Sequence, residues 1–339
     1  MEPTLAQLGE DRAIALISET LADLPLAPDW VGIGDDAAVT ALAPNAKAVT
    51  TTDILVEDVH FRRSTTSARE LGWKAIAVNV SDVASMGGLP RWCTVSVALP
   101  STCSAEWLRQ FYLGVADGAA SVGLAVVGGD TTGSPGPIVI AVTVVGEAAK
   151  PLLRTGACAG DWVAVTGPVG DAAAGFWLLE HEGAVPLTAA EREALVRAQR
   201  MPRAHVAEGR ALAQVGGRVC VLDNSDGLGR SAQILAQANH VSVELDAEQL
   251  PLSEALGKLA RHVGIDPLAW GLWGGEDYNL VLSMEPAAAT DVHRAVEAAG
   301  GTLWVVGRMI EGPSVAVLKR SGHVEPLQKA SAFQHFVER

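Results

Sequence analysis

The chain has 339 residues, a length that suits two domains of ordinary size better than one. Apolar residues make up 49% and charged residues only 19%, which excludes a disordered chain and allows two buried cores. With 25 basic against 39 acidic residues the net charge is −14 and no basic stripe is visible, so a nucleic-acid binder is excluded.

In chain order, the N-terminus MEPTLAQLGEDRA lacks the basic and apolar regions of a signal peptide. Glu10 to Leu21 reads as a short amphipathic helix, and β-branched residues mark a strand near Lys47 to Thr52. Leu71, Ala75, Val78, Asp82 and Ser85 share a helical spacing over Ala68 to Met86, ended by Gly87-Gly88. Arg91 to Leu99 is a strand. Trp107, Leu108, Phe111, Val115, Ala119 and Val122 then mark a helix with a 3.6-residue period. Strands Leu124 to Val127 and Ile138 to Gly146 follow; the latter, the longest apolar stretch, is far too short to span a membrane.

A break at Ala148 to Pro151 divides an N-terminal domain, 1–149, from a C-terminal domain, 150–339. The second half alternates strands (161–166, 218–222, 241–245, 278–282, 302–306) with helices (171–181, 189–200, 205–215, 228–238, from 253, 287–299). Such alternation predicts α/β or α+β layers in both halves. The cysteines, Cys93, Cys103, Cys158 and Cys220, form no C-x-x-C pair and sit at no zinc-ligand offset from a histidine. They read as core thiols of a cytoplasmic protein.

The acidic residues are not scattered as on a solvated surface. They recur beside glycine or at element ends, in GIGDDAAV (Asp35, Asp36), VTTTDILV (Asp53), AVNVSDVASMGG (Asp82), VVGGDTTG (Asp130), VLDNSDGLG (Asp223, Asp226) and GLWGGEDY (Glu276, Asp277). A carboxylate just past a buried strand can point into a cleft from a rigid backbone. Several together repel unless cations lie between them, and hard oxygen ligands, with Thr51 and Thr52 adding hydroxyls, suit Mg²⁺. Any one motif alone reads more readily as a turn. G-x-x-x-x-G-K-[ST], G-x-S-x-G and H-E-x-x-H are absent. What remains are glycine pairs and loops, Gly128-Gly129, Gly167 with Gly170 and Gly175, and Gly274-Gly275, that would let backbone N–H groups approach phosphates.

Taken in order, GIGDDAAV, TTDILVEDVHF, AVNVSDVASMGG, VVGGDTTG, RTGACAGDWVAVTGPVGDAAAG, DNSDGL and GGEDYNL resemble the motifs of thiamine-monophosphate kinases, relatives of aminoimidazole ribonucleotide synthetase. The resemblance implies two α/β domains of the aminoimidazole ribonucleotide synthetase-like fold, with the N-terminal sheets of two subunits pairing into a barrel in a homodimer. It implies ATP-dependent, Mg²⁺-assisted phosphorylation of thiamine monophosphate to thiamine diphosphate. By similarity Asp36, Thr51, Thr52, Asp53, Asp82, Asp130, Asp223 and Asp226 are metal ligands, with Asp53, Asp82 and Asp130 closest to the chemistry. Tyr112, Gly129, Asp130, Arg154 and Ser225 fall at ATP positions, and His60, Glu276 and Phe333 at substrate positions. Read without the family, His60 is a strand-end histidine, Tyr112 a core residue and Arg154 a surface residue. Two residues depart from the pattern: Asn224 stands where an aliphatic residue is usual and Asp58 where glycine is common. The rival readings are a sibling synthetase with another acceptor and a non-catalytic nucleotide- or metal-binding homologue. No reactive N-terminal cysteine and no cysteine-bearing tail support the siblings.

Overall fold

The computed structural model describes residues 3–33 and 37–327. Its contacts divide the chain into two units, Met1–Val83 with Gly88–Lys150 and Ala84–Gly87 with Pro151–Arg339.

The first unit opens with one helical turn, α1 (Leu5–Leu8), and α2 (Glu10–Thr20). There follow β1 (Lys47–Val56), α3 (Ala68–Ser85), β2 (Leu89–Pro100), α4 (Ala105–Val122), β3 (Ala125–Ser134) and β4 (Val139–Ala148). The start and stop of α4 are chemical. The Ser104 hydroxyl accepts from the Trp107 N–H, and Gly123 ends the helix in the left-handed region. Its stripe of Leu108, Phe111, Val115 and Ala119 is buried, as are Val95 and Val97 of β2 and Ile140, Val142 and Val144 of β4. The sheet order is β1-β4-β2-β3, antiparallel except for the β2–β3 pair.

The order makes β1 and β3 the two edges, and both run further than their sequences suggest. The expected strand ending at Thr52 continues to Val56, and the one ending at Val127 continues to Ser134. Polar and glycine residues read as a loop, yet an edge strand faces water and tolerates them. Asp53 and Asp130 therefore lie within strands, not just past them.

The second unit holds β5 (Trp162–Val165), α5 (Asp171–Glu180), α6 (Ala189–Arg200), α7 (Val206–Leu212), β6 (Val219–Asp223), α8 (Leu228–Asn239) and β7 (Ser242–Asp246). It continues with α9 (Glu254–Val263), α10 (Pro267–Trp273), β8 (Leu280–Met284), α11 (Ala289–Ala298), β9 (Trp304–Ile310), β10 (Ala316–Arg320) and β11 (His323–Pro326). Seven strands form one sheet in the order β11-β10-β7-β9-β5-β8-β6. Strand alternation splits the core. Val163, Val165, Leu245 and Val281 pack with Leu228 and Leu235 of α8 on one face, while Ala164, Leu280 and Leu282 pack with Leu212, Val292 and Val296 on the other. The sequence did not mark α10, which starts on an Asp266 cap with proline in its first turn, nor β10 and β11. No described helix is long and apolar enough to cross a membrane, and all four cysteines are free.

Candidate active site

In the first unit the site grows from β1 and the helix beside it. Side chains alternate along β1, so Val49, Thr51, Asp53 and Leu55 share one face while Thr50, Thr52 and Ile54 are exposed on the other. As an edge strand, β1 has N–H groups that need partners. Asn79 of α3, 1% exposed, supplies one: its Oδ1 accepts from the Asp53 N–H at 2.8 Å while its Nδ2 donates to the Ala75 carbonyl at 2.9 Å. Close to one turn further along α3, Asp82 Oδ2 accepts a short hydrogen bond from Thr51 Oγ1. Burial, and then the charge of Asp82, pushes the Asp53 carboxyl up to about 6. Among the described residues no basic side chain pairs with Asp53. Two carboxylates held this near each other favour a proton or a cation between them.

That donor set fits Mg²⁺. Among the described residues no three His, Cys, Asp or Glu groups gather closely enough to hold a metal. Mg²⁺ commonly takes only one or two protein carboxylates, filling its octahedron with water and phosphate oxygens, so Asp53, Asp82 and the Thr51 hydroxyl suffice. The other expected ligands fall elsewhere. The Thr52 hydroxyl lies on the opposite face of β1, donating to the Val142 carbonyl and accepting from Thr143, each at 3.1 Å. Asp130 is exposed on β3, its Oδ1 accepting from the Thr131 N–H at 2.9 Å. Because β1 and β3 are opposite edges, three strand spacings, roughly 14 Å, separate Asp53 from Asp130 within one chain. Asp36 and Phe333 lie outside the described residues.

His60 sits in the turn after β1. Its Nδ1 accepts from the Val56 N–H at 3.0 Å, which places the proton of the neutral ring on Nε2. Asp58, in the same turn, has φ of +63°, which explains why glycine suits that position. Tyr112 is 3% exposed and packs edge-to-face on Phe111 with ring centroids 5.2 Å apart. Its ring sits in the core, the place expected of it when the helix is read without the family.

In the second unit Asp223 ends β6, where a carboxylate just past a buried strand was expected. Two irregular segments are pinned to each other there. The Glu276 N–H donates to the Ser225 carbonyl at 2.6 Å, the Tyr278 N–H to the Asn224 carbonyl at 3.1 Å, and the Asn224 N–H to the Asn279 carbonyl at 2.9 Å. Glu276 and Tyr278 both have positive φ, +60° and +52°. Non-glycine residues in that region carry strain that persists only where surrounding bonds impose it, and such strain clusters at functional sites. Asp226 is exposed and Ser225 half-buried. Arg154 is exposed beside β6, whose Val221 N–H donates to the Leu153 carbonyl at 3.0 Å.

The glycine loop before α5 is not open to phosphate. Asp277 Oδ2 accepts from the Gly170 N–H at 2.8 Å and its Oδ1 from the Ala172 N–H at 3.3 Å. The chain's own carboxylate thus occupies the helix N-terminus, a normal anion position. Burial pushes its pKa up to about 8 against those two donors. Sequence reasoning also missed Asn79 and Gln199. Both are polar residues on otherwise buried helical stripes, a signal that was readable.

Asn224 is fully buried; its Oδ1 accepts from Ser231 Oγ at 3.2 Å, while its Nδ2 has no partner among the described residues. A stranded buried donor costs about 1–3 kcal/mol, whereas removing both members of a pair is nearly neutral. The double variant Asn224→Val/Ser231→Ala is therefore expected to be about 1 kcal/mol more stable than the parent in urea unfolding. A loss of stability would mean that Nδ2 has an acceptor in solution.

Two family models match the chain: AIR synthase related protein, N-terminal domain, over residues 34–148, and its C-terminal domain over 159–319. The thiamine-monophosphate kinase of Bacillus subtilis is 32% identical over 308 residues, covering 90% of this chain and 93% of its own length. That of Aquifex aeolicus is 38% identical over 281 residues, 82% of this chain and 87% of its own. A solved structure of AaThiL complexed with AMPPCP and TMP superposes with a TM-score of 0.75 at 32% identity, covering 98% of this chain and 99% of that one.

Proposed function

Given that the chain belongs to the thiamine-monophosphate kinases of the AIR synthase related family, we propose that it transfers the γ-phosphoryl group of ATP to thiamine monophosphate, giving ADP and thiamine diphosphate. The observation that carries this reading is the match, along 98% of the chain, to a protein complexed with an ATP analogue and TMP. The acceptor is already an anionic phosphate oxygen, so no strong general base is needed, and the barrier is repulsion between phosphates. Asp53, Asp82 and the Thr51 hydroxyl would hold Mg²⁺ in the first unit, and Asp223 and Asp226 are the candidate ligands in the second. When bound, Mg²⁺ neutralises phosphate charge and orients phosphate oxygens. His60 offers its Nε2–H, and Glu276 its carboxylate, to the acceptor. Arg154 offers a planar fork for phosphate. ATP as a substrate and four free thiols support action in the cytoplasm.

We propose further that the enzyme works as a homodimer. Asp53 and Asp130 occupy opposite edges of one sheet, and edge strands are where a second copy can pair. A site that uses both carboxylates would then draw Asp53 from one copy and Asp130 from another. Asp53→Asn and Asp130→Asn chains, each inactive alone, are expected to regain about a quarter of wild-type turnover when refolded together. Half of randomly assorted dimers are mixed, and each of those holds one intact site. A mixture no better than its parents would refute the shared site.

The test of the reaction itself is ADP release from ATP and Mg²⁺ with thiamine monophosphate, with thiamine, and without acceptor. Release with the monophosphate alone, together with formation of thiamine diphosphate, is expected. Release no faster than without acceptor would move the search to other acceptors.

A further inference from the structure

On α6 the buried stripe runs Leu195, Val196, Gln199. An apolar side chain is the ordinary occupant of the last position, yet Gln199 is there, 7% exposed. A buried amide stays only where its polar atoms are met. Its Nε2 donates to Glu276 Oε2 at 2.5 Å.

The depth of Gln199 is fixed by packing. α5 approaches α6 so closely at Gly175 that a methyl there would lie 2.0 Å from the Leu195 carbonyl oxygen and 3.2 Å from Gln199 Cβ. Glu276 is held from its other side by the bond from its N–H to Ser225 and by its left-handed backbone. The amide adds a restraint at the carboxylate end of Glu276, bonding one of its two oxygens. An amide donor does this without bringing a charge of its own, so it orients the carboxylate rather than neutralising it. An oriented anion suits a cationic or N–H-donating heteroaromatic ring, which thiamine monophosphate carries.

We propose that Gln199 is a positioning residue that sets the Glu276 carboxylate for the acceptor's ring and so tunes acceptor affinity; this rests on the reading of Glu276 as an acceptor contact. The test is steady-state kinetics of the full-length enzyme bearing Gln199→Met, which keeps length and volume but removes the donor, with Gln199→Leu as a second variant. The expected result is a KM for thiamine monophosphate raised about tenfold, the scale of one charge-assisted hydrogen bond. kcat should stay within about twofold, and so should the KM for ATP. In a Glu276→Gln background the same substitution should add less than about twofold, because the two act as one unit.

A role in packing alone would shift both KM values together, or add its full effect to Glu276→Gln; either outcome overturns the proposal. So does loss of the fold in both Gln199 variants, which would make the contact structural. If Glu276→Gln raises the acceptor KM and Gln199→Met does not, only the positioning role falls. If Glu276→Gln leaves the acceptor KM unchanged, the assignment of Glu276 falls and this proposal with it.

Discussion

Asp53→Asn is expected to lower kcat at least about 100-fold, the scale of losing one preorganised electrostatic partner in a phosphoryl-transfer site. The loss should come without damage to the fold. In the ligand-free protein Asp53 is a cost, since burial and the nearby Asp82 charge both oppose its ionised form. Removing one of two repelling carboxylates should leave the melting temperature equal or higher. The Asp53 N–H bond to Asn79 belongs to the backbone and survives the change. Mg²⁺ adds a second readout. A metal that binds only the folded state raises the melting temperature, and that rise should shrink in the variant. Near-normal turnover, or an undiminished response to Mg²⁺, would refute the assignment of Asp53 as a metal ligand.

The part of this site that was legible in the sequence was its chemistry, more than its placement. Asp223 was placed at its strand end because β6, though also an edge strand, is a run of consecutive buried apolar residues with a sharp polar end. Asp53 and Asp130 were read as lying past their strands because Thr-Thr-Asp and Gly-Gly-Asp look like loops, whereas both belong to edges where composition is a weak guide. Which face Thr52 takes depends on strand register, and register depends on partners distant in the chain. The Gly167–Gly170 loop looked open to phosphate because nothing local shows that Asp277, more than a hundred residues later, closes it. The burial of Tyr112 was the plain reading of its place on an apolar helix face, and the structure bears that burial out.

Gly129→Ala carries the other large effect, and its neighbour is the control. A methyl on Gly129 would lie 1.9 Å from the Val95 carbonyl oxygen and 2.7 Å from its carbon, on the parallel partner strand. Backbone cannot swing aside as a side chain can, and Val95 is itself 1% exposed in the core. β3 would have to shift or the pair to open. We expect a loss of about 3 kcal/mol or more in urea unfolding, at the upper end of overpacking costs, with turnover falling because Asp130 is the next residue. A methyl on Gly128 meets only Thr94 Cγ2, at 3.8 Å. Gly128→Ala should stay within about 1 kcal/mol of the parent, on the stabilising side, since alanine suits a strand better. The contrast separates two meanings of the same glycine pair. If Gly129 is kept for close strand packing, only its variant loses stability. If instead both variants fold normally and both lose affinity for ATP, the pair serves phosphate contact and the packing argument is wrong.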